Sequence, residues 1–400
     1  MKAASRLSLV KESETLALTT RARQMTRAGR DMVNFGVGEP DFDTPAHIVE
    51  AAKRALDQGQ TRYSAVGGLP VLREAIAVRY QRRYGIRTTA ANVMVSVGGK
   101  HVLFNLAMAL LDAGDRVLIP SPYWLSYPAQ VHLAGGVPIF LETTQAQHFK
   151  VRPEALDAAL TKHRPVYLIL NSPANPTGMA YARDELEAIF EVMRRHPDVL
   201  IVWDAIYERL VYDGFCHVEP GQVAPDLAAR TVITSGFSKT YAMTGWRLGY
   251  AIAPTELIEE LTIVQGHSTS NATTFAQVGG LAALSLSEET TADMVAVFDK
   301  RRLRMVELLN AIDGVDCLKP MGAFYVFPDI RAFIGRHTPN GTRINSDVDL
   351  AEYLLEDAGV AVLPGSVFGG PGHLRLSFAL ANEDIERGLP RMAAALAKVV

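Results

Sequence analysis

Six short apolar stretches, separated by longer amphipathic ones, restrict what this chain can fold into more than any other feature. Residues 92–97 (NVMVSV), 115–120 (DRVLIP), 166–170 (VYLIL), 199–203 (VLIVW), 231–235 (TVITS) and 248–253 (LGYAIA) are rich in Val, Ile and Leu. None has a clean alternation of apolar and polar residues, so each reads as a strand covered on both faces. Between them, 100–114 (KHVLFNLAMALLDAG) and 183–196 (RDELEAIFEVMRRH) carry helical spacing, the first closed by Gly114. Alternation of this kind predicts a mainly parallel α/β sheet.

From about residue 291 the pattern changes. A helical stretch at 298–312 leads into alternating GAFYVFPDI (322–330), a helix near 348–358, GVAVLPG (359–365) and HLRLSFAL (373–380). These predict a smaller α+β domain. The expected organisation is an N-terminal arm that also joins the small domain (1–40), a large domain (41–290) and a C-terminal small domain (291–400). A chain of 400 residues is long enough for both cores.

Composition narrows the function. With 48% hydrophobic residues, 21% charged residues and a net charge of −3, disorder is excluded and nothing favours nucleic acid or an anionic membrane. The first fifteen residues have no apolar core of signal-peptide length, and no apolar run reaches membrane-spanning length. Cys216 and Cys317 make no disulfide framework. The histidines show no pair at metal-ligand spacing and CxxC is absent, so no metal is expected. A cytoplasmic enzyme is the expectation.

In a parallel sheet, ligands bind beyond the carboxyl ends of the strands. Five of the runs end in polar groups with distinct chemistry. Gly98-Gly99-Lys100, between a strand and a helix, can cradle an anion on free backbone N–H groups, or be a tight turn. Met94 and His101 rule out a Walker loop, and no GxGxxG follows a strand. Trp124 is ordinarily core, Asn175-Pro176-Thr177-Gly178 turn chemistry, and Asp204 a cap. Lys239 is ordinarily a surface charge and Arg375 a strand-edge charge. Their succession along the strand ends, rather than any one of them, points to a shared site.

Taken together, GEPDFDTP (38–45), GGKH (98–101), SPYWLSYP (121–128), NSPANPTG (171–178), DAIYE (204–208), SGFSKTYAMTGWRLGY (235–250) and HLRLS (373–377) resemble the class I/II pyridoxal-phosphate aminotransferases of fold type I. The likeness is closest to the bacterial branch of aspartate aminotransferases. It implies a mainly parallel seven-stranded sheet and a homodimer with composite sites. It also implies that Lys239 forms a Schiff base with the cofactor aldehyde and then carries the proton between substrate and cofactor. Asp204 would pair with the pyridine nitrogen, Tyr207 and Asn175 would hydrogen-bond the ring oxygen, and Trp124 would stack on the ring and border the substrate. Arg247, Ser238 (or Ser235) and the N–H groups of Gly99 and Lys100 would hold the phosphate. Arg375, with Asn175 and the Gly38 backbone, would clamp the substrate α-carboxylate, and Tyr63 would reach the partner's phosphate. Ala174, Ala205 and Gly236 depart from the usual pattern without removing a residue that has a chemical role.

The implied activity is amino transfer between an amino acid, aspartate for preference, and 2-oxoglutarate. The alternatives are aromatic or aliphatic donors, a lyase or synthase on the same fold, and a non-catalytic sensor. The last would carry an N-terminal DNA-binding module, whereas this chain enters the family pattern within about ten residues. A second substrate carboxylate calls for a cation, and the helix after Lys100 offers only His101 before Arg116. Neutral groups (Ser13, Thr15 and those in HSTSNATT, 267–274) are therefore expected to bind it, which would admit at least one uncharged donor as well.

Overall fold

Seven strands build the central sheet: β1 (Val93–Ser96), β2 (Arg116–Ser121), β3 (Val137–Glu142), β4 (Tyr167–Asn171), β5 (Leu200–Asp204), β6 (Thr231–Gly236) and β7 (Gly249–Ile252). Their spatial order is β1-β7-β6-β5-β4-β2-β3. All pairs are parallel except those of β7, which runs against both β1 and β6. The structure is a computed structural model that describes residues 4–10, 14–285 and 291–400, with backbone alone for 14–19.

The missing alternation has a direct cause. Val93, Val95, Leu118, Leu168 and Leu170 enter one hydrophobic cluster, whereas Met94, Val117, Ile119, Tyr167 and Ile169 enter another. Successive side chains point to opposite faces, and both faces are covered. The strand that has no matching apolar run in the sequence is β3. It lies at the sheet edge, none of its residues is buried, and Pro138 interrupts its apolar character.

Helix α1 (Glu14–Arg27), α2 (Gly99–Leu110), α3 (Thr255–Ser268) and α4 (Ala292–Asn310) bear on the site. Gly114 does not cap α2, which ends at Leu110. Its left-handed φ of +91° serves the turn into β2, where its N–H donates to the Gly135 carbonyl.

A second sheet holds β8 (Tyr325–Val326), β9 (Leu363–Pro364) and β10 (Leu374–Ser377) in the antiparallel order β9-β10-β8. The alternating segment 322–330 contributes only two residues to this ladder. Pro328 has no N–H to donate, and Asp329 makes only isolated bridges. Val33–Asn34 pairs in parallel with Val360–Ala361, and Phe35 shares a core with Phe298 and Leu376. Among the described residues no helix is long and apolar enough to cross a membrane.

Candidate active site

A cavity of about 400 Å³ opens where the parallel strands end. The turn from β1 into α2 forms one wall. Gly98 has φ +82°, and a Cβ on it would stand 2.7 Å from Nη2 of Arg247. A Cβ on Gly249 would stand 2.3 Å from the Gly99 nitrogen. Only glycines let β7 approach this turn closely enough to lay Arg247 across it. Arg247 precedes β7 rather than following it. Because β7 is antiparallel, its amino end reaches the edge where the other strands finish.

Asp204, the last residue of β5, forms the buried floor. Its carboxylate accepts hydrogen bonds from the Tyr127 hydroxyl at 2.7 Å and the Ile206 N–H at 3.1 Å. Burial pushes its pKa up to about 6 despite both donors. A cationic N–H placed here would restore the charged form. The Asn171 amide, at the end of β4, donates to the Asp204 carbonyl and accepts from the Asn175 N–H.

Lys239 follows β6, half-buried, with Nζ donating to the Gly38 carbonyl at 2.6 Å and 5.7 Å from the centre of the Phe324 ring. Desolvation lowers its pKa to about 8. Glu39 opposes that shift, while Arg247, Arg375 and Lys100 reinforce it. Thr234 and Ser238 line the cavity beside it, and the Thr234 hydroxyl is buried with no partner. Ser235 does not line the cavity, since its hydroxyl faces the Ala205 carbonyl.

At the opposite end, buried Arg375 on β10 donates to the Asn175 amide oxygen at 3.2 Å and to the Gly36 carbonyl at 2.9 Å. Gly36, not Gly38, supplies the backbone acceptor, because the Gly38 carbonyl is engaged by Lys239. The Arg375 Nε is buried without an acceptor. The guanidinium lies 4.5 Å from the centre of the Tyr325 ring, and the Tyr325 hydroxyl is 3.0 Å from that of Tyr207. Burial raises the Tyr207 pKa well above the ordinary phenol value.

The cavity thus gathers Lys239, Asp204, Tyr207, Gly99, Lys100, Trp124, Asn175, Ser238, Arg247, Gly38 and Arg375. Tyr63 is not among them and is 89% exposed. The neutral groups expected to bind a second carboxylate stand elsewhere. Thr269, Asn271, Thr273 and Thr274 line a separate groove with Arg62 and Tyr63, while Ser13 and the Thr15 side chain lie outside the described residues. Sequence reasoning missed Tyr127, Thr234, Tyr325 and Arg23, and assigned Lys100 only its backbone. Tyr127 sits within the quoted SPYWLSYP, one helical turn after Trp124, which is the signal that pointed to it.

Charge completes the picture. Arg23 of α1, Lys100, Lys239, Arg247 and Arg375 face Glu39 and Asp204, an excess of three cations. Such a cavity is built for several anionic groups at once.

A doubly wound sheet that brings this lysine, carboxyl and arginine set to its carboxyl edge defines a transferase of fold type I. The sequence matches the family model described as aminotransferase class I and II over residues 30–392, and the chain belongs to that family, whose members use pyridoxal phosphate. The aspartate/prephenate aminotransferase of Cereibacter sphaeroides is 47% identical over 97% of each chain. The aspartate aminotransferase of Geobacillus stearothermophilus is 45% identical over 98% of each. The crystal structure of the Rhizobium meliloti aspartate aminotransferase superposes with a TM-score of 0.97 at 42% identity, covering 100% of both chains. The Thermus thermophilus aspartate aminotransferase with maleate superposes with a TM-score of 0.91 at 41% identity, covering 99% of this chain and 100% of that one.

Proposed function

We propose that this aminotransferase uses pyridoxal phosphate to move an amino group from dicarboxylic amino acids, aspartate foremost, to 2-oxoglutarate. The residues present fit the cofactor. The Thr234 hydroxyl is an unpartnered buried group, the Gly98 turn leaves backbone N–H groups open, and Arg247 is a guanidinium whose printed bond goes to a carbonyl, that of Thr244. These, with Ser238 and the N–H groups of Gly99 and Lys100, would hold the phosphate. Asp204 would hold the ring nitrogen's proton, Trp124 would cover one ring face, and Tyr207 and Asn175 would face the ring oxygen. The bound cofactor supplies an aldehyde that condenses with amines and a protonated ring that stores an electron pair.

The chain's own groups do the rest. With its pKa near 8, Lys239 presents a neutral amine in a useful fraction close to neutrality. It can attack a carbonyl and afterwards take a proton from a substrate Cα. Arg375 orients the α-carboxylate through its planar fork, so that the Cα–H bond faces Lys239.

The observation that carries the dicarboxylate reading is the cation left over. With Arg247 on the phosphate and Arg375 on the α-carboxylate, Lys100 has no carboxylate partner among the described residues. Its ammonium stands 5.0 Å from the centre of the Trp124 ring. Desolvation and the Arg247 charge lower its pKa, which an incoming carboxylate would reverse. The Thermus relative carries maleate, itself a dicarboxylate. Replacing Lys100 with methionine is expected to lower kcat/KM for aspartate and glutamate about ten- to a hundredfold, the worth of a charge-assisted hydrogen bond. Alanine and phenylalanine should change by less than about threefold. An equal loss for every donor would instead assign Lys100 to the cofactor.

A homodimer belongs to the same proposal. Supporting it are Tyr63, 89% exposed, and Met108 and Ile263, 45% and 57% exposed on the mutually packed α2 and α3. Tyr63→Phe is expected to weaken cofactor binding about tenfold while the dimer persists. Cofactor titration and sedimentation would check this, and a fully active monomer would contradict it. We likewise infer that 41–290 and 291–400 act as two units, with 1–40 joined to the second. The pairing of Val33 with Val360 supports that division.

A further inference from the structure

We propose that Tyr325 is a positioning residue that couples the carboxylate clamp at Arg375 to the hydroxyl of Tyr207. The inference rests on the roles proposed above for Tyr207, Arg375 and the cofactor, and adds a residue to which neither motif nor spacing assigned a role.

Tyr325 is fully buried on β8 and lines the cavity. Its two ends face different parts of the site. The hydroxyl stands 3.0 Å from that of Tyr207. The ring carries the Arg375 guanidinium 4.5 Å from its centre, and Phe368 meets the same guanidinium at 4.9 Å. Register accounts for this contact: Tyr325 pairs with Ser377 across the β8–β10 ladder, and Arg375 is the diagonal neighbour on the same face. The titratable and charged groups that act on Tyr325 are Tyr207 and Arg375.

Proton inventory fixes the direction of the bond. Each phenol has one proton. If Tyr207 donates to the ring oxygen of the cofactor, it has none left for its neighbour, so Tyr325 must donate to Tyr207. That donation polarises the Tyr207 hydroxyl and makes it the stronger donor. The Arg375 cation on the Tyr325 ring favours the same polarisation. A substrate carboxylate that neutralises Arg375 weakens it. Tyr325 therefore reports occupancy of the carboxylate clamp to the group that faces the cofactor ring.

The colour of the bound cofactor reads this directly, because the high-pH form carries negative charge on the ring oxygen. A donor to that oxygen favours the high-pH form and lowers the midpoint of the colour change, so losing the donor raises it. Spectral titration of the holoenzyme, with and without maleate as an inert dicarboxylate, should be done on wild type, Tyr325→Phe, Tyr207→Phe, the double variant and Tyr325→Leu. Tyr325→Phe keeps the ring and loses the hydroxyl. Its midpoint should rise by roughly 0.5–1 pH unit, less than in Tyr207→Phe, and maleate should raise it further by less than in wild type. The double variant should match Tyr207→Phe alone. Maleate affinity should hold within about twofold in Tyr325→Phe and weaken about three- to tenfold in Tyr325→Leu, which loses the ring under Arg375. If Tyr207→Phe moves the midpoint while Tyr325→Phe does not, or if the two shifts add, the coupling is wrong and the site reading stands. If neither variant moves it, the site reading fails too.

Discussion

Lys239→Ala should lower amino transfer by at least roughly four orders of magnitude and leave the chain folded. The side chain makes one hydrogen bond, to the Gly38 carbonyl, and Lys100 is the only other lysine at the cavity. No other amine can replace it at the end of β6. Its removal should not unfold the protein, and the sign of its pKa shift says why. The unfolded lysine keeps its proton to about pH 10.4, whereas the folded one releases it near 8. Between those values the unfolded chain binds more protons, so this group favours folding increasingly as pH rises through the window and opposes it below. The cofactor-free variant should therefore melt at or above the wild-type temperature at pH 7. It should also show no borohydride-reducible link to pyridoxal phosphate. A reducible link in the variant would assign the attachment to another residue.

Arg375→Lys should lower kcat/KM for every donor by about thirty- to a thousandfold, corresponding to roughly 2–4 kcal/mol for a buried charge pair held in poorer geometry. Two arms of the guanidinium are tied to Asn175 and Gly36, and Nε waits without an acceptor. An ammonium keeps the charge but cannot satisfy Asn175, Gly36 and a carboxylate together. Because all amino and oxo acids carry the α-carboxylate, the loss should be uniform across donors. A loss confined to one donor would show that Arg375 reads the side chain.

The parts of this protein legible in its sequence share a physical origin. A strand covered on both faces writes itself as an apolar run, and six of the seven strands did so. Residues that follow a parallel strand are already at the ligand edge, so Gly99, Trp124, Asn175, Asp204 and Lys239 could be found by walking off each run. Arg247 breaks that rule because β7 is reversed, and only the likeness of the whole 235–250 segment identified it. Strand β3 was hidden because an edge strand need not be apolar.

What escaped depends on pairs brought together from far along the chain. Tyr325 meets Tyr207 across 118 positions and Arg375 across the small sheet. Tyr127 meets Asp204 across 77. Lys100 was credited with a backbone N–H because it follows two glycines, and its ammonium became visible as a pocket cation only once Trp124 was placed beneath it. In the same way Glu208, His217 and Glu219 converge in a buried cluster that no metal-ligand spacing would suggest. Arg79 from the helix before β1 and the Tyr84 hydroxyl already engage Glu208 there.

The most direct test of the whole account is the half-reaction. Purified holoenzyme mixed with aspartate alone, with no oxo acid present, should convert its aldehyde cofactor to the amine form. One 2-oxo acid should be released per site without ammonia, and conversion should be faster than with alanine at equal concentration. An unchanged spectrum with aspartate, or release of ammonia with the aldehyde form regenerated, would contradict it.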